Sequence, residues 1–155
     1  MTQEEKSILL QDLSARLPYG VKIHLETSEY GELIGTLDAV YPTDDGVIVD
    51  NLDKAIAHIN VRCGGFNIEE DECKPYLRPM SSMTRKELYE VQEILGKGIE
   101  IHDVFISIVD SSINTFSYLE LQAVFDWLNA HHFDYRGLIE KGLALEAPKG
   151  MYSTK

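Results

Sequence analysis

The stretch "VKIHLETSEYGELIGTLDAVYPTDDGVIVDN" (residues 21–51) decides how this chain is read. Val21, Ile23 and Leu25 alternate with Lys22, His24 and Glu26, the period of two that marks a strand with one face buried. "SEYGE" is a turn, and "LIGTLDAVYP" (33–42) is predicted to be a second strand. "TDDG" then supplies turn residues before a third strand, "VIVDN". Three short strands joined by tight turns call for an antiparallel meander, and a meander needs something to cover its apolar face.

The segment before it supplies that cover. Thr2 and Glu5 have capping-box spacing, in which each side chain satisfies a free backbone donor of the other residue. Ile8, Leu9, Leu13 and Leu17 follow as one apolar stripe, and Pro18 and Gly20 end the helix. After the meander, "AIAHINV" (55–61) is a weaker strand candidate. "CKPYLRP" (73–79) is another, and its proline suits the start or the edge of a sheet.

The second half reads as mainly helical. Thr84 and Glu87 repeat the capping box and open "RKELYEVQEILGKG", which stops at Gly96 or Gly98. "IEIHDVFISIVD" (99–110) has the β-branched content of a strand but no regular period to settle it. Ser117 and Glu120 form a third capping box before "YLELQAVFDWLNAHH". In that helix Leu121, Val124, Phe125 and Leu128 make the expected buried stripe, with Trp127 at its edge.

His131 and His132 fall in the last turn of this helix, where exposed carbonyls favour a cationic side chain. Asp134 then caps a short helix, "YRGLIEKG", closed by Gly142. Adjacent histidines on a helix point about 100° apart, so they do not chelate one metal as an i, i+4 pair does. No H-E-x-x-H and no paired C-x-x-C accompanies them, so no metal, cofactor or catalytic residue is assigned. Gly64-Gly65 lacks the spacing and the lysine of a phosphate loop, and there is no G-x-S-x-G elbow. The serines at 81, 82, 111 and 112 lie in loop-like stretches without a partner that the sequence can name. The expected protein is not an enzyme.

Cys63 and Cys73 are too few for a disulfide framework, although the glycines between them allow a hairpin that brings them close. Reduced thiols fit a cytoplasmic setting. No run of apolar residues is long enough to span a bilayer, and the acidic "MTQEEKSILLQDL" is no secretion signal.

Charge is the strongest statement of the composition. The net value is −12. Residues 23–53 carry Glu26, Glu29, Glu32, Asp38, Asp44, Asp45, Asp50 and Asp53 with no lysine or arginine, and "EEDE" (69–72) adds four more acids. Phosphate backbones are held by lysine and arginine, so direct binding of DNA or RNA is disfavoured. A solvated acidic face is one reading. The other is a surface for a basic protein, with Glu32, Asp38, Asp44, Asp45, Asp50 and Asp53 as the candidate contact residues.

Three phrases, "LSARLPYGVK" (13–22), "KPYLRPMSSMT" (74–84) and "DWLNAHHFDYRGLIEKGLALEAPKGMY" (126–152), resemble a group of small uncharacterised proteins encoded in Bacteroides-type gut bacteria, often in prophages and other mobile elements. The resemblance implies a bacterial cytoplasmic accessory protein and brings no activity with it. It also implies a constant frame built from the three phrases, with variable strands between them. Arg78, Trp127, His131, His132, Asp134 and Arg136 are the frame candidates, the arginines pairing with Asp126 or Asp134. At the level of fold, residues 21–51 behind a helix are also similar to the opening strands of Sm-like small barrels.

The expectation is therefore one α+β domain over residues 1–155, strand-rich over 1–80 and mainly helical over 81–155. Its N-terminal helix lies on a small antiparallel sheet or Sm-like barrel, and two or three C-terminal helices cover it. The expected partner is a host or phage protein with a basic surface, with no membrane contact, and self-association into a homo-oligomer is compatible with this. Two other functions compete: a small-barrel nucleic-acid module, and a hydrolase or metal-dependent enzyme using His131, His132 or the cysteines.

Overall fold

A computed structural model of the chain describes residues 1–28, 30–41, 46–50, 65–67, 72–95, 99–102, 105–108 and 118–152. The first helix, α1 (Gln3–Arg16), starts on its capping box. Glu5 N donates to Thr2 Oγ1 at 3.2 Å, and Thr2 N donates to Glu5 Oε2 at 2.7 Å. The Thr2 amide, and then the Thr2 hydroxyl, hold the Glu5 carboxyl below its ordinary range. A 3₁₀ turn over Leu17–Tyr19 follows, and Gly20 reverses the chain at φ 66°, a conformation that glycine adopts without steric cost.

The strands β1 (Lys22–Thr27), β2 (Gly31–Tyr41) and β3 (Gly46–Asp50) form the antiparallel meander. Val21, Ile23 and Leu25 are fully buried, as period-two alternation requires. Between Leu37 and Ala39 the register with β3 shifts, leaving Asp38 as the extra residue of a bulge. Two more strands, β4 (Gly65–Asn67) and β5 (Lys74–Leu77), pair antiparallel with β3 and β1 respectively.

The sixth strand, β8 (Leu145–Glu146), is absent from the sequence reading and pairs parallel with β5. The sheet is thus mixed rather than purely antiparallel. Among the described residues it runs β4-β3-β2-β1-β5-β8 and is open, not closed into a barrel. Pro75 fits inside it because of its side: Leu77 faces β8, so Pro75 does too, but β8 begins opposite Tyr76 and no ladder bond is lost.

The helix α2 (Arg85–Leu95) is followed by β6 (Ile99–His102) and β7 (Phe105–Ile108), paired antiparallel, so the described part of the ambiguous segment is strand. The last helix is α3 (Tyr118–Ala130). Its buried stripe is narrower than expected. Val124 and Leu128 are buried against α2, whereas Leu121 and Phe125 are 42% and 45% exposed. Val124 and Leu128 lie on the face that meets α2 and Phe133, and Leu121 and Phe125 lie outside that cluster. The expected helix over 135–142 is instead a run of turns. Gly137 and Gly142 both take positive φ there, which interrupts helical hydrogen bonding.

Two apolar clusters result. One joins α1 to the sheet through Leu9, Leu13, Ile23, Leu33 and Leu77, and also takes in Leu138 and Leu143. The other lies between α2 and α3, with Phe133 as its centrepiece. The strand candidate over 55–61 and Cys63 lie outside the described residues, while Cys73 is buried in the first cluster.

Candidate functional site

The frame residues converge where the two clusters meet. Asp12 and Arg16, four apart on α1, share one helix face and are both fully buried. Arg16 forks onto the carboxylate, Nε to Oδ2 at 2.7 Å and Nη2 to Oδ1 at 3.1 Å, and Nη2 also donates to the Phe133 carbonyl at 2.8 Å. Arg136 reaches the same carboxylate, Nε to Oδ1 at 3.3 Å. Arg136 was expected to pair with Asp126 or Asp134; Asp12 takes that place because α1 packs beside the turn that carries Arg136. Asp134 instead accepts from the Leu138 and Ile139 amides at 2.8 Å each, so it caps the turns that replace the helix.

Arg78 is likewise committed elsewhere than expected. Its guanidinium grips Glu87 in two bonds of 2.7 and 3.1 Å, and Glu87 is also the capping-box acid of α2, accepting from the Thr84 amide and hydroxyl at 2.8 Å. Burial pushes the Glu87 carboxyl up, but Arg78 and Thr84 outweigh it and hold the group at about 2. Arg78 also lies over the Phe133 ring, 4.1 Å from its centroid. Its backbone bonds both sides of Phe133: Arg78 N donates to His132 O, and Asp134 N to Arg78 O, each at 2.8 Å.

The two histidines have different environments. His131 stacks on Trp127 at 3.8 Å, and its Nδ1 lies 2.9 Å from the Trp127 carbonyl, so that nitrogen carries the proton and closes the last turn of α3. His132 leaves the helix at φ 59° and is buried. The sequence reading placed a favoured cation here. Burial and then the charges of Arg16, His131 and Arg78 push its pKa down to about 3, so the ring is neutral.

The ring of His132 stacks on Tyr152 with centroids 3.8 Å apart. The Tyr152 hydroxyl accepts from Lys22 N at 2.8 Å and donates to Tyr76 O at 2.9 Å. In the β1–β5 register Ile23 faces Pro75, so Lys22 and Tyr76 are the next pair along. The phenol therefore stands in for a direct ladder bond where the strands part. Burial pushes the phenol up, which keeps it protonated as a donor. The sequence offered no local signal for Tyr152, because its partners are far away in the chain.

A groove of about 360 Å³ opens beside this hub. Arg78, Lys86 and Glu87 line one side, and Glu146, Lys149 and Tyr152 the other. Cations and carboxylates alternate around it, so it selects no single sign of charge.

The acidic strand residues are arranged otherwise. The Glu32 side chain is 67% exposed and sits 3.1 Å from His24 Nε2. Asp38 is exposed on its bulge. The backbone of Asp50 ends β3, while Asp44, Asp45 and Asp53 lie outside the described residues. Among the described residues no three histidine, cysteine or acidic side chains are placed to hold a metal ion. None of the described helices is long and apolar enough to cross a membrane.

Comparison with known protein families, with curated proteins and with solved structures finds no match to this chain.

Proposed function

We propose that this chain is a non-enzymatic accessory protein of a phage or mobile element, acting in the bacterial cytoplasm through protein contacts on its acidic strand face. One observation supports this most: the frame's guanidiniums are turned inward and matched, Arg16 and Arg136 to Asp12 and Arg78 to Glu87, while Glu32 and Asp38 on β2 face solvent. A face that carries Glu32 and Asp38 outward, while these arginines are matched to Asp12 and Glu87, attracts a basic partner surface. The phage or mobile-element origin rests on the three shared phrases alone. The Sm-like barrel belongs to this proposal as its finer form, with the sheet closing when a partner strand is added at an open edge.

The test is a pull-down from the host with the native chain and with Glu32, Asp38, Asp44 and Asp45 changed to lysine. Loss of a specific protein partner in the variant, at unchanged stability, supports the reading. Equal recovery by both proteins removes this face from consideration. A salt-dependent shift of RNA or DNA at micromolar protein would transfer the proposal to the nucleic-acid module.

A further inference from the structure

The segment after Ala144 is held differently from the rest of the fold. Neither apolar cluster includes a residue beyond Ala144. Among the attachments of residues Leu145–Tyr152 are the short parallel pairing to β5, Ala147 N donating to Leu77 O at 2.7 Å, and the Tyr152 phenol with its His132 stack. A segment with few buried contacts opens at lower free energy than the core it lies on. Its anchor is a ring sitting among like charges.

We propose that Leu145–Tyr152 is an acid-released clasp: a proton on His132 drives the Tyr152 phenol out of the β1–β5 cleft and frees the segment from the sheet edge, while the core stays folded.

The groups around His132 fix the sign. From α1 it meets Arg16, from the end of β5 Arg78, and from the end of α3 His131. The clasp contributes the neutral phenol of Tyr152. The nearby carboxylates are already engaged, Asp12 by Arg16 and Arg136, Glu87 by Arg78, and Asp134 by two backbone amides. Nδ1 of His132 is buried with no protein partner among the described residues. An imidazolium therefore gains no counter-charge in the closed state, but is solvated in the open one. His132 is held down to about 3 in the closed state, so acidification to pH 5 shifts the balance toward the open state, by about thirtyfold in the limit where opening returns the ring fully to water and by less while Arg16, Arg78 and His131 stay beside it. Opening bares the backbone of Leu77 on the β5 edge, where an extended segment of another protein can pair.

Amide hydrogen exchange on the full chain tests this, with the Ala147 amide reporting the clasp and the Leu13 amide reporting α1. The expected result is that Ala147 is less protected than Leu13 at pH 7.5 and at pH 5, that its exchange is insensitive to low urea, and that its protection falls severalfold, up to about thirtyfold, between the two. His132→Asn, which tolerates the positive φ and carries no proton, should remove that fall. Tyr152→Phe keeps the stack but loses both hydroxyl bonds, so Ala147 should be less protected already at pH 7.5. Ala147 and Leu13 exchanging together would overturn the proposal, because the segment would then open only with the whole fold. An equal fall in His132→Asn would overturn it as well.

Discussion

Asp12 and Glu32 are both carboxylates with a basic side chain within 3.3 Å, yet they do opposite things. Asp12 is fully buried under two guanidiniums and ties α1 to the turn after α3, whereas Glu32 is two-thirds exposed beside His24. A charge removed from water has to be matched in place, and breaking the match leaves its partner stranded. A charge left in water contributes little to stability and is available to another molecule. The two regions therefore divide the work of one acidic composition: inside, charge fixes geometry; outside, it faces whatever approaches.

Substitutions can break this contrast, and their effects should descend from the frame to the strand face. Asp12→Ala strands Arg16 in the core, with Arg136 beside it, and should cost roughly 3–5 kcal/mol in urea unfolding. Glu87→Ala removes the partner of Arg78 and the cap of α2 together, at about 2 kcal/mol by the same measurement. The pH dependence of that contribution has a defined sign. Because Glu87 is held at about 2 against 4.5 ordinarily, its stabilisation is fully present above pH 4.5 and is lost as the pH falls toward 2. In Glu87→Ala that part of the acid sensitivity should vanish. Tyr152→Phe should cost about 1 kcal/mol for its two hydroxyl bonds, read as a lower thermal midpoint. Glu32→Lys with Asp38→Lys should change stability by no more than about 0.5 kcal/mol while weakening partner capture. A large loss of stability there would erase the contrast.

Local signals made α1, α2 and the meander legible, since capping boxes and alternation are written within a few consecutive residues. The bulge at Asp38 and the pairing of β8 were not, because each depends on what lies across the sheet. The same limit applies to the frame. Its members Arg78, His132 and Arg136 could be named from the sequence, but their partners could not, as Asp12 and Glu87 come from helices placed only by the fold. His131 could be read as a helix end from its position alone. His132, one residue later, turns into the interior because its φ becomes positive, and nothing in "AHHFD" signals that change. Half of the expected acidic surface, Asp44, Asp45 and Asp53, lies outside the described residues.

The bonds from Arg16 to Phe133 and from Lys22 to Tyr152 join residues 117 and 130 positions apart. A ribosome releasing this chain sets free the first helix and the meander well before either partner exists. The emerging N-terminal half therefore waits with Arg16 paired to Asp12 but short of its Phe133 carbonyl, and with the Lys22 amide short of its phenol, until translation passes residue 152. Vectorial synthesis thus makes residues 133–152 the step that completes residues 16–22.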